Sequence, residues 1–219
     1  MKKGRGLFYI SCINWMILVL ALSIAVPLLI RPFYYAHIKP YHLEEESGYT
    51  EAQIKEAYDD MMDYCVYGIG EFKTGVMPFS EEGKAHFEDC AVLFRIDFAL
   101  ALISVIAAVI LTVYQRKKGM IPLRYGHTPQ YFAGYFLGGG FLLIGILCAL
   151  DFDKAFVVFH TIFFPGKTNW IFDWNDDQII RILPEEFFRN AGILIVALLF
   201  TGCAALILYD RRKVRNSTN

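Results

Sequence analysis

Four apolar stretches, each long enough to cross a bilayer, constrain this chain more than any other feature. They run from Leu7 to Ile30, Ala91 to Tyr114, Tyr131 to Leu150 and Ala191 to Tyr209. A hydrocarbon core of roughly 30 Å needs about 20 residues of helix at 1.5 Å each, and all four meet that length. Hydrophobic residues make up 56% of the 219, and their gathering into blocks matters more than the total. The first stretch follows Lys2, Lys3 and Arg5, as a signal peptide would. It is too long for one, and Val26-Pro27-Leu28 lacks a small-residue cleavage site, so it is expected to stay as an anchor.

Basic residues orient the spans. Lys2, Lys3 and Arg5 precede the first, Arg116, Lys117, Lys118 and Arg124 fill the short loop after the second, and Arg211, Arg212, Lys213 and Arg215 follow the fourth. With four spans these clusters share one side, which the positive-inside rule assigns to the cytoplasm. The expected fold is an all-α membrane protein. It has four transmembrane helices (about 7–30, 91–114, 131–150 and 191–209) and an extracytoplasmic cap formed by two outer loops (about 31–90 and 151–190). Together these make a single integral membrane domain over 1–219. The net charge of −1 hides a split between acidic outer loops and basic inner segments. That split suits a membrane and not a nucleic acid.

The first outer loop opens with Phe33-Tyr34-Tyr35 and Tyr41, an aromatic cluster suited to the headgroup level. Thr50 with Gln53 three residues on has capping-box spacing, and Ile54, Ala57, Tyr58, Met61, Met62 and Cys65 recur at helical spacing. Ser80, followed by Glu81 and Glu82, is positioned to cap a helix running into the second span. In the second outer loop, Ala155 to Phe164 is apolar but too short to span and reads as interfacial or re-entrant. Pro184-Glu185-Glu186 begins a further helix. Cys12, Cys148 and Cys203 lie within spans as small apolar residues. Cys65 and Cys90 are a single outer pair and no disulfide framework. Gly134 and Gly138-Gly139-Gly140 in the third span suit close helix packing.

No GxSxG elbow, HExxH, paired CxxC or phosphate-cradling glycine loop is present. Among the five histidines, His127 reads as a solvated residue of the basic loop, and His37 and His42 as structural or solvated. His86 and His160 are set apart because topology puts both outside and close to the membrane. His86 is seven residues before Leu93, about 10 Å of helix. His160 sits within Phe156 to Phe164 among many rings, where an imidazole is costly to bury unless its nitrogens are paired. Asp89 shares a helix face with His86 and is placed to orient its ring. Arg95 and Asp97 are expected to snorkel or pair near the surface. A metal reading of His86, Glu88 or Asp89 with His160 and Asp173 lacks any recognised ligand spacing. From the residues alone an acid–base pair, a non-enzymatic membrane assembly or transport protein, and a metal-dependent membrane hydrolase all stay open.

Pro78-Phe79-Ser80-Glu81 with His86 and Glu88-Asp89 resembles the first motif of the lipoprotein intramolecular transacylase family. Phe159-His160, Phe163-Phe164-Pro165-Gly166, Asn169-Trp170, Phe172-Asp173 and Leu183-Pro184-Glu185-Glu186-Phe187-Phe188 resemble its second. The chain departs from the pattern at Cys90, where valine is usual, and at Trp174, where proline is common. The resemblance implies a bacterial membrane acyltransferase acting on diacylglyceryl lipoproteins, which moves the sn-2 acyl chain to the α-amino group of the N-terminal cysteine to give a lyso-form lipoprotein. It implies His86 and His160 as the catalytic pair. Asp89, Phe159, Phe163, Asn169, Trp170 and Asp173 are the expected supporting or substrate-binding set, with Asn169, Trp170 or a backbone amide as oxyanion donor. It implies no cofactor and no metal. The expected partners are the lipoprotein substrate and membrane lipid, with the chain acting as a monomer.

Overall fold

The computed structural model describes residues 2–118 and 123–218. Residues 119–122 of the short basic loop lie outside the described residues, as do the side chains of Lys2, Lys3 and Arg215. The described chain is helical: α1 (Lys2–Leu29), α2 (Arg31–Ile38), α3 (Leu43–Ser47), α4 (Glu51–Met62), α5 (Glu81–Lys117), α6 (Pro129–Leu150), α7 (Phe152–Phe163) and α8 (Glu185–Thr218). A π-helical turn follows α4 at Asp63–Tyr67, and a 3-10 turn at Gln178–Ile182 precedes α8. Helices α1, α5, α6 and α8 are each long and apolar enough to cross a membrane, in agreement with the four expected spans. The chain divides into two compact units.

The first unit holds residues 1–24, 97–149 and 194–219. Its helices pack through small residues. A Cβ on Gly134 would fall 2.7 Å from the Cys203 carbonyl oxygen, and one on Gly202 would meet Val19 at 2.7 Å. Gly138 also approaches Cys203, whereas a Cβ on Gly139 or Gly140 would meet nothing within 4 Å among the described residues. Cys12 and Cys203 lie in apolar clusters with Ala133, Leu137, Leu199 and Leu206, as small hydrophobic residues. Polar bonds join helices as well: Asn14 donates to the Ser104 carbonyl (3.1 Å) and Gln115 to Ser11 (3.0 Å). Leu102, Ile103, Ile106, Val109 and Ile110 stay exposed on α5, as lipid-facing residues do.

His127 is not simply solvated. Its Nδ1 lies 2.8 Å from Asp210, a fully buried carboxylate that also accepts from the Thr128 amide, and its ring stacks on Tyr131. A buried carboxylate needs partners, and this histidine is one of them.

The second unit holds residues 25–96 and 150–193. Thr50 caps α4 in the expected capping box. Ile54, Ala57, Tyr58, Met61 and Met62 form the buried face of α4. Tyr34 belongs to this core and not to an aromatic belt. It is fully buried, stacks on Tyr58 with centroids 3.6 Å apart, and donates its hydroxyl to the Ile182 carbonyl at 2.8 Å. A satisfied hydroxyl lets a tyrosine go inside. Arg31 ties α2 to α4 through Asp59 and to the π-helical turn through Asp63. His37 is satisfied on both nitrogens, by the Phe33 carbonyl and by Asn190, and His42 is exposed beside Glu45. All five cysteines are free thiols.

Candidate active site

The site is built on the start of α5, on α7 and on the loop that follows α7. Ser80 caps α5 as its position implied, its Oγ accepting the Gly83 amide hydrogen at 2.9 Å. Asp177, almost fully buried, clamps that cap. Its carboxylate accepts from the Ser80 amide (2.8 Å) and hydroxyl (2.9 Å). A Cβ on Gly83 would lie 2.1 Å from Asp177 Oδ1, so only glycine admits the clamp. The Gln178 amide adds a bond to the Pro78 carbonyl at 3.2 Å. These contacts set the start of the helix that presents His86 less than one turn beyond Gly83.

Helix α7 starts where Asp151 accepts the Lys154 amide hydrogen, and it ends at Phe163. Its burial is the reverse of a water-facing amphipathic helix. His160 is buried, while Val157, Val158, Phe159, Ile162 and Phe163 are exposed. The interfacial stretch read from sequence is therefore a helix that turns its histidine inward and its apolar residues outward.

The two histidines meet. Their ring centroids are 5.8 Å apart, and they are 5% and 6% exposed respectively. Phe164 and Phe172 pack against His86 at 5.0 and 5.4 Å, and Phe156 and Trp170 against His160 at 4.1 and 4.6 Å. His160 Nδ1 lies 2.8 Å from the Phe156 carbonyl oxygen. A carbonyl only accepts, so the ring hydrogen sits on Nδ1 and the lone pair on Nε2. Burial pushes the His160 pKa down from its ordinary value, against the opposing pull of that carbonyl. His86 Nε2 lies 3.4 Å from the Cys90 sulfur, and its Nδ1 is buried with no partner among the described residues. A buried imidazole with an unpaired nitrogen favours its neutral form.

Asp89 does not bond the His86 ring. It turns to Lys167 (2.5 Å) and to Asn169 Nδ2 (3.1 Å), because an exposed cation and an amide donor offer a carboxylate more than a neutral imidazole does. Trp170 packs on His160, and its indole N–H is engaged by the Lys167 carbonyl. Phe159 and Phe163 stack at 4.6 Å and are about half exposed. Asp173 is exposed and caps its own turn by accepting from the Asn175 amide at 2.8 Å. Glu82, Gly166, Lys167, Thr168, Asn169 and Ile171 line an open cavity of about 490 Å³. Asp177, Gly83 and Lys167 were invisible to sequence reasoning, since no spacing links Asp177 to a glycine so far away.

The chain matches the family model of the lipoprotein intramolecular transacylase Lit over residues 9–188. No curated protein matches it. Among solved structures it is similar to the membrane-integral lipoprotein intramolecular transacylase Lit from Bacillus cereus. That match has 23% identity and a TM-score of 0.87, covering 99% of this chain and 98% of that one. Two mutant forms of the same B. cereus protein, with one histidine replaced by arginine or by alanine, each align at a TM-score of 0.80. Their identities are 24% and 23%; they cover 99% and 98% of this chain and 95% and 96% of theirs. Those likenesses carry the fold, and the family match, extending over most of the chain, carries the membership. The chain belongs to the lipoprotein intramolecular transacylase family and is an acyltransferase integral to the membrane.

Proposed function

We propose that the chain moves the sn-2 acyl chain of a diacylglyceryl lipoprotein to the α-amino group of that lipoprotein's own N-terminal cysteine, with His86 and His160 as an acid–base pair. The observation that carries this reading is the pair itself: two buried imidazoles 5.8 Å apart inside an aromatic enclosure. The amine nitrogen attacks the ester carbonyl carbon, and collapse of the tetrahedral intermediate breaks the bond to the glycerol oxygen. One N–C bond replaces one O–C bond. A proton leaves the nitrogen and another reaches the glycerol oxygen, so no co-reactant is consumed.

Donor and acceptor share one molecule, so no acyl-enzyme is needed, and the lack of a serine or cysteine elbow is no obstacle. Well-oriented intramolecular reactions reach effective molarities of about 10⁵ M or more. His160, with its lone pair on Nε2, suits the base that takes the amine proton. His86 suits the acid. Its Nδ1 has no partner among the described residues and its Nε2 lies 3.4 Å from the Cys90 sulfur. Once the proton that His160 takes from the amine passes to this ring, it can hand a proton to the departing oxygen and return to neutral. The rings about both histidines keep out water that would otherwise hydrolyse the ester. The exposed apolar face of α7, with Phe159 and Phe163, suits the acyl chains and membrane lipid.

The basic clusters support a location in the bacterial cytoplasmic membrane with both termini cytoplasmic. Residues 31–90 and 151–190 then form an outer cap within one integral membrane domain, and the reaction runs on the outer face. Both histidines come from one chain, so a monomer suffices.

The test is mass spectrometry of a model lipoprotein's N-terminal peptide from a host that makes only diacylglyceryl lipoproteins. The gene should leave the total mass unchanged and place one acyl chain on the cysteine nitrogen. His86→Gln and His160→Gln should each cut transfer about 10²-fold or more. Unchanged acylation with the wild-type protein present in the membrane would sink the reading. Chelators should leave the rate unaltered, whereas a metal-dependent hydrolase would lose it.

A further inference from the structure

One acceptor atom in the site has no partner among the described residues. Asn169 Oδ1 is buried and unbonded among the described residues, while its Nδ2 donates to Asp89. A carboxylate only accepts, so the amide's orientation is settled: nitrogen toward Asp89, oxygen away from it. Lys167 holds Asp89 in turn, and the amide cannot rotate without breaking a charge-assisted bond. An acceptor left buried and unpaired costs about 1–3 kcal/mol, and native proteins keep few of them without a reason. Asn169 lines the 490 Å³ cavity, and the next residue, Trp170, packs on the His160 ring. The segment carrying Asn169 thus borders both the cavity and the base.

An oxygen acceptor is a poor match for a tetrahedral oxyanion or an ester carbonyl, which are themselves acceptors. The one reacting group with N–H to offer is the α-amine. We propose that Asn169 Oδ1 accepts an N–H from the α-amino group of the lipoprotein's N-terminal cysteine, with the peptide that follows leaving through the cavity. Asn169 is then a catalytic residue of the nucleophile side and not an oxyanion donor. One N–H to Asn169 and one to His160 turn the nitrogen lone pair toward the ester carbon. This inference rests on the transacylase reading above.

The titratable and charged groups around Asn169 are Asp89 and Lys167, which pair with each other, Glu82 on the cavity wall, and the two histidines. The test uses the full chain in lipid with a synthetic diacylglyceryl lipopeptide, following N-acyl product from pH 6 to 9. The wild type, Asn169→Asp and Asn169→Leu are compared, with thermal unfolding as a check on folding. An aspartate keeps an acceptor oxygen and adds charge that favours the ammonium; it also gives up the Nδ2 donation to Asp89, a structural cost that the thermal unfolding reads separately. Its rising pH limb should therefore move about one pH unit toward alkali, while transfer above that limb persists. Asn169→Leu should lose at least tenfold in kcat with no alkaline displacement of the limb. A pH profile for Asn169→Asp superimposable on the wild type's, or an Asn169→Leu rate within twofold of it, overturns the proposal. Absence of N-acyl product from the wild type is a separate result, which removes the transacylase reading itself.

Discussion

His160 shows how one contact can fix a tautomer. The Phe156 carbonyl holds the hydrogen on Nδ1, and burial lowers the pKa, so the ring is a neutral base at physiological pH. Two consequences follow for pH. In activity, the rising limb of the wild-type profile should report the substrate's α-amine, near 7.7–8.0 for an ordinary amino terminus, because the histidine loses its proton at lower pH. In stability, the unfolded chain binds the proton near pH 6.5 and the folded chain only below that. The contribution is therefore complete above pH 6.5 and is lost as pH falls below it. Thermal unfolding of the purified protein should show its midpoint dropping below pH 6.5, with a shallower drop in His160→Gln. Neither the carbonyl contact nor the burial is written in Phe159-His160; span topology, the surrounding rings and the motif marked the residue.

The start of α5 makes the same point for an element. Ser80, Glu81 and Glu82 announce a helix N-terminus by local chemistry, and the helix does begin there. What the local signal could not contain is Asp177, which occupies the space a side chain at Gly83 would need. Gly83→Ala should force that carboxylate off Ser80, at a cost of about 1–3 kcal/mol for overpacking. A lower unfolding midpoint and reduced transfer should appear together, since His86 is on the next turn. Helix α7 was legible as an apolar segment too short to span. Its reversed burial was not, because the sequence does not say which face has neighbours. The same holds for Asp89, whose spacing from His86 is right for a bond that Lys167 and Asn169 divert.

For the whole molecule, topology is the property to test. With the native cysteines replaced, Thr168→Cys should react with a membrane-impermeant maleimide in intact cells. Lys118→Cys should react only after the membrane is opened. The reverse pattern would invert the orientation and move the histidines to the cytoplasmic side. The four spans themselves follow from length and hydropathy, and the helices of the first unit meet through Gly134 and Gly202, where a side chain would strike a neighbouring helix.

The sequence by itself determined the four spans and the helix starts at Thr50 and Ser80, and it singled out His86 and His160 as candidates. These are local properties: the burial of 20 apolar residues and the capping of a first turn depend on neighbours in the chain. Tertiary structure alone decided that Tyr34 is core, that His127 serves a buried carboxylate, that Asp177 clamps α5, and that Asn169 donates to Asp89. Each of those depends on a partner distant in sequence, and burial turns such a partner from optional into required, because water is no longer there to take its place.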